Sequence, residues 1–124
     1  MQLNIVRILS LVALAAFVIP SAALADAAAG KAPYDTNCMS CHGPTGKGDG
    51  PVGAVLNPPP RDFSKGDFKF DTDGDSKPGT DTDLTNVIKK GANAYGGSAL
   101  MAPWPALSDG EIQNIVAYIR SLKQ

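Results

Sequence analysis

The clearest pattern lies at the C-terminal end. Ile112, Ile115, Val116, Ile119 and Leu122 recur at helical spacing on one stripe, with Tyr118 at its edge. Ser108 and Glu111 stand immediately upstream as S-x-x-E, the spacing at which side chain and backbone cap each other. The pattern predicts an amphipathic helix that needs a partner for its apolar face. A helix leading into residue 42 is the natural candidate. Its start is expected between Gly30 and Pro33, because proline is tolerated only in a first turn, with Ala27 to Ala29 irregular. A third, short helix is expected over Leu84 to Lys90. Asp81 or Asp83 would cap it, Leu84, Val87 and Ile88 share a face, Lys89 and Lys90 suit its C-terminal end, and Gly91 stops it.

Between these elements the pattern breaks down. Residues 43–66 hold Gly43-Pro44, Gly46, Gly48, Gly50-Pro51 and Pro58-Pro59-Pro60, which predict loop and a stiff extended run. Phe63, Phe68 and Phe70 follow as an apolar wall. Residues 71–83 read DTDGDSKPGTDTD. Asp71, Asp73 and Asp75 occupy alternate positions of a calcium-loop pattern, but Ser76 stands where glycine belongs and Thr82 where a bidentate Glu belongs. The segment is therefore read as a solvated acidic turn, with calcium as the weaker alternative. No run of β-branched strand sequence occurs, so the fold class expected is all-α.

The N-terminus is set apart from this. Arg7 is followed by an apolar run from Ile8 to Ile19 and by Ala23-Leu24-Ala25, the order of a secretory signal peptide. The run is short for a membrane span, which needs about 20 apolar residues. The expected organisation is a cleaved signal over residues 1–25 and one domain over residues 26–124, exported to the periplasm without stable membrane insertion. Loss of Arg7 leaves ten Lys and Arg against twelve Asp and Glu, a net charge of about −2. That balance argues against nucleic acid, which selects a basic surface.

Export constrains the two cysteines, since free thiols do not persist in an oxidising compartment. Zinc lacks ligands, because Cys38, Cys41 and the only histidine, His42, form one short run. A thioredoxin-type pair expects strands around it. A disulfide would close only a two-residue gap and stabilise little. Cys38-Met39-Ser40-Cys41-His42 is instead the c-type haem attachment signature, with thioether bonds from Cys38 and Cys41 and His42 as iron ligand. A second histidine ligand is excluded by composition. Of the methionines beyond the signal, Met39 sits inside the attachment loop and cannot reach the opposite haem face. Met101 remains, in a loop of glycines and prolines, as the sixth ligand.

These residues resemble the class I cytochrome c family over nearly all of residues 26–124. The family's glycine and aromatic before the first haem cysteine are matched by Gly30 and Tyr34, and its C-terminal aromatic by Tyr118 in IVAYIRSL. The resemblance implies a cytochrome c fold: three to four helices wrapped around one covalently bound haem, with long irregular loops. Gly50-Pro51 matches a family pair and implies that the Pro51 carbonyl accepts from the His42 ring. GGSALMAPWPALSDGEI resembles the family's methionine loop and implies Met101 as ligand with Trp104 at the haem edge. Pro33 and the acidic insert depart from the family pattern. The function expected is one-electron transfer between redox partner proteins, without enzymatic activity. The alternatives are a haem subunit of a larger oxidase or dehydrogenase complex, and a small-ligand-binding haem protein in which Met101 is displaced.

Overall fold

A computed structural model describes residues 24–124. The expected signal sequence lies almost wholly outside the described residues. Among the described residues four α-helices carry the fold: α1 (Ala27–Asn37), α2 (Met39–His42), α3 (Asp81–Lys90) and α4 (Asp109–Ser121). Short 3-10 turns stand at Gly53–Val55, Phe63–Lys65 and Ala92–Tyr95. Among the described residues there is no strand. The all-α expectation holds.

Helix α4 is the helix that the hydrophobic stripe predicts. The Ser108 hydroxyl accepts from the Glu111 N–H, and the Glu111 carboxylate accepts from the Ser108 N–H, closing the capping box. Ile112, Ile115, Val116 and Ile119 are all buried. Burial of each such side chain is worth about 2 kcal/mol, against about 1 kcal/mol for a cap. The cap therefore fixes where α4 starts, and the apolar stripe holds it in place.

Its partner is α1, which begins earlier than the proline suggested. Asp26 caps it by accepting from the Ala28 N–H at 2.8 Å. Pro33 then lies inside the helix. The carbonyl deprived of its partner is that of Ala29, an exposed residue, so water can replace the missing N–H. Only Gly30 and Tyr34 of α1 are buried. At the crossing, a Cβ on Gly30 would lie 1.9 Å from the Asn114 carbonyl oxygen, so only glycine permits this approach. Tyr34 and Tyr118 pack beside it, ring centroids 5.0 Å apart. The Tyr34 hydroxyl donates to the Gly43 carbonyl at 2.7 Å, tying the crossing to the residue after His42.

Helix α3 also starts earlier than expected. Thr80 is the cap, and Asp83 is its reciprocal partner three residues on. Arg120 of α4 joins the two helices. Its Nε donates to Asp81 Oδ1 at 2.9 Å, and its guanidinium lies 5.0 Å from the centre of the Phe68 ring. Lys89 pairs with Asp109 at 2.6 Å on the other end of α3.

The acidic loop is closed by its own hydrogen bonds. The Asp71 carboxylate accepts from the backbone N–H groups of Gly74, Asp75 and Ser76. Asp83 is buried at 1 % exposure. One of its oxygens takes the Thr72 N–H and hydroxyl, the other the Thr80 N–H and hydroxyl. Burial pushes the Asp83 carboxyl up, but these four bonds outweigh it and leave it at about 2. Carboxylate oxygens of Asp71, Asp73 and Asp83 lie within 4.8 Å of one another.

Candidate functional site

A cavity of about 540 Å³ opens between the attachment motif, the proline-rich loop and α3. Cys41, His42 and Met101 all line it. Its walls are apolar, from Leu56, Phe63, Phe68, Phe70, Leu84 and Ile88 among others. The expected aromatic wall is thus real. Its size suits a cofactor, whose sites run about 300–1,000 Å³.

The motif is presented by a break in the helix. Helix α1 ends at Cys38, whose N–H still reaches the Tyr34 carbonyl, and the single turn of α2 carries Cys41 and His42. Cys38 and Cys41 form no disulfide, and both are half-buried. Burial, with a smaller contribution from Cys41, pushes the Cys38 thiol up to about 11. A thiol in this state is a poor spontaneous nucleophile.

His42 is buried, which pulls its ring pKa down, while a hydrogen bond to the Arg61 carbonyl acts the other way. Nδ1 lies 3.1 Å from the Arg61 carbonyl oxygen. A carbonyl only accepts, so Nδ1 carries the proton and Nε2 keeps its lone pair free for a metal.

The acceptor is Arg61, which corrects the expectation for Pro51. The loop after the motif folds back onto α2: Gly50 N–H donates to the Cys41 carbonyl at 3.2 Å and Val52 N–H to the Ser40 carbonyl at 2.9 Å. Pro51 is thereby held at the surface and does not line the cavity. The chain turns through Gly53–Val55 and returns along the prolines, which brings Arg61 beside His42. No sequence signal marked Arg61, because every residue has a carbonyl.

Met101 lies at the cavity, in a loop tied down on both flanks. Its carbonyl accepts from Ala92 N–H at 3.0 Å, and Trp104 N–H donates to the Ile88 carbonyl at 3.0 Å. Trp104 is half-buried against the core cluster and is not among the cavity-lining residues.

The residues present fit a haem. The Cys41 thiol and the His42 imidazole come from one turn, with Cys38 just before it against the core cluster, and the Met101 thioether from a distant loop reaches the same cavity as Cys41 and His42. Arg61 adds an independent sign. It lines the cavity, one of its terminal nitrogens pairs with Asp67 at 3.0 Å, and its Nε is buried without any hydrogen-bond partner among the described residues. Such a donor calls for an acceptor. A haem propionate is one.

Comparison with known proteins agrees. The family model described as Cytochrome c matches residues 27–123. The chain belongs to the cytochrome c family. It is similar to cytochrome c-554(547) of Halothiobacillus neapolitanus, with 39% identity over 101 residues, covering 79% of this chain and 98% of that one. It is also similar to a chain from the solved reducing HAO-like protein complex of Kuenenia stuttgartiensis. There the TM-score is 0.65 and the identity 32%, over 77% of this cytochrome. The match spans only 41% of that longer chain. As a member of the family, this cytochrome carries covalent haem c, bound through Cys38 and Cys41, and belongs among the haem electron carriers. Among the described residues no helix is long and apolar enough to cross a membrane.

Proposed function

We propose that this cytochrome is a periplasmic one-electron carrier whose haem iron is ligated by His42 and Met101, and that it passes electrons between redox partner proteins. One observation carries the reading: His42 and Met101 line the same cavity as Cys41. Haem c supplies an iron that changes oxidation state by one electron. When haem is bound, His42 and Met101 would hold its iron, and the apolar wall would exclude water. Arg61 holds His42 in the tautomer that leaves Nε2 for the iron, and its hydrogen bond makes the imidazole a stronger donor. Thioether sulfur is soft and raises the potential relative to a second histidine. With His42 and Met101 both holding it, the iron would have no site left for a substrate. This is why the reading is a carrier and not an enzyme.

The test is the absorption spectrum of the oxidised protein. It should show the weak far-red band of methionine sulfur on ferric haem, and Met101→Ala should abolish it. A wild-type protein that lacks the band and binds CO at once overturns the reading in favour of a ligand-binding haem protein.

A second reading is a haem subunit working inside a larger complex. The similarity to a chain of the HAO-like complex favours it. It changes the partner and leaves the chemistry the same. Size-exclusion chromatography of the native protein from its source separates the two: a free carrier elutes near the mass of one chain.

A further inference from the structure

One short segment holds His42 from two directions. The Arg61 carbonyl takes the Nδ1 proton, and two residues on the Phe63 ring lies flat against the imidazole. The ring centroids are 4.3 Å apart and the planes differ by 15°. A hydrogen bond through one atom leaves a ring free to rock about that atom. A flat neighbour at stacking distance removes that freedom, because rotation drives the imidazole edge into the facing ring.

Phe63 is itself well fixed. It is 8 % exposed, and its N–H donates to the Gly46 carbonyl at 2.6 Å. Asp62 caps its 3-10 turn by accepting from Ser64 N–H. Phe68 packs on it at 5.8 Å between centroids. Gly46, at φ 72°, leaves room where a Cβ would come within 3.1 Å of the Phe63 Cβ. The stack is therefore a held contact between two buried rings.

We propose that Phe63 is a positioning residue that sets the plane of the His42 imidazole about its bond to the iron. The inference rests on His42 being the ligand. The imidazole π orbitals mix with the iron d orbitals, so the direction of the ring plane sets how those orbitals split in the ferric state. A ring held in one plane also spares electron transfer a ligand reorientation. Phe63 thus acts through His42, as an outer partner that orients a metal ligand.

The readout is the electron paramagnetic resonance spectrum of the ferric holoprotein. Phe63→Leu should shift the g values beyond the wild-type linewidth and broaden them, with the far-red band retained. Phe63→Tyr, which keeps a flat ring, should restore the wild-type values. Val116→Ala serves as the control. It truncates a buried side chain away from the cavity and should lower the melting temperature with g values unchanged. Phe63→Leu with wild-type g values overturns the proposal. If that variant takes up no haem, the ferrous wild-type protein decides, because ring protons of Phe63 and His42 should show a nuclear Overhauser contact. Its absence also overturns the proposal. Failure of the ligation reading looks different, since the wild type itself would then lack a low-spin ferric signal.

Discussion

Gly30 and Asn114 meet backbone to backbone where α1 crosses α4. A Cβ on Gly30 would fall 1.9 Å from the Asn114 carbonyl oxygen and 2.4 Å from its carbon. Both atoms are backbone and cannot swing aside. Gly30→Ala should therefore separate the two helices, although alanine is the better helix former. Overpacking of this kind costs about 3 kcal/mol or more. Thermal unfolding of the holoprotein should show a drop in melting temperature of more than about 10 °C.

The crossing is also tied to the attachment motif through Tyr34, whose hydroxyl donates to the buried Gly43 carbonyl. Tyr34→Phe keeps the ring packing against Tyr118 and removes one of two donors to that carbonyl, which still accepts from Gly46 N–H at 3.2 Å. A loss of about 1 kcal/mol is expected. Denaturant unfolding measures it, and the haem spectrum should stay as in the wild type.

Asp83 makes the acid limb of stability. Its carboxyl sits at about 2 in the folded protein, below its ordinary value of 3.8. A group lowered in this way stabilises the fold above its unfolded pKa, and the contribution fades as pH falls through the folded value. The expected window is thus about pH 4 down to about pH 2. Asp83→Asn should lower stability at neutral pH and flatten the pH dependence across that window. A melting-temperature series in acid checks both. An unchanged slope would show that the Thr72 and Thr80 bonds do not hold the charge as described.

The loop over residues 71–83 closes on its own N–H groups and on Asp83, so no bound ion is needed to shape it. Chelation with EDTA should leave melting temperature and spectrum unchanged. A drop that added calcium reverses would overturn this account.

Some of the molecule was legible from the chain alone. The stripe and capping box of α4, the all-α class and the attachment motif are local patterns, in which periodicity or adjacency carries the information. Cys38, Cys41 and His42 lie within five residues, and composition left few candidates for the iron's other side. Helix starts were less legible. Pro33 argued for a late start of α1, but the carbonyl it deprives of a partner belongs to an exposed residue and the cost is small. The cap of α3 was expected at Asp81 or Asp83, whereas Thr80 caps it and Asp83 answers as its reciprocal partner.

What surrounds His42 was decided only by the tertiary structure. Pro51 and Arg61 both offer a carbonyl, and nothing in their side chains says which one reaches the ring. The choice follows from how the loop after the motif pins itself to the end of α2, which turns Pro51 outward and brings Arg61 and Phe63 back against the imidazole. The sequence by itself determined that haem attaches here and narrowed its ligands. The three-dimensional path of the loops chose the partners of His42, because a backbone acceptor and a stacked ring are contacts between distant segments and leave no pattern along the chain.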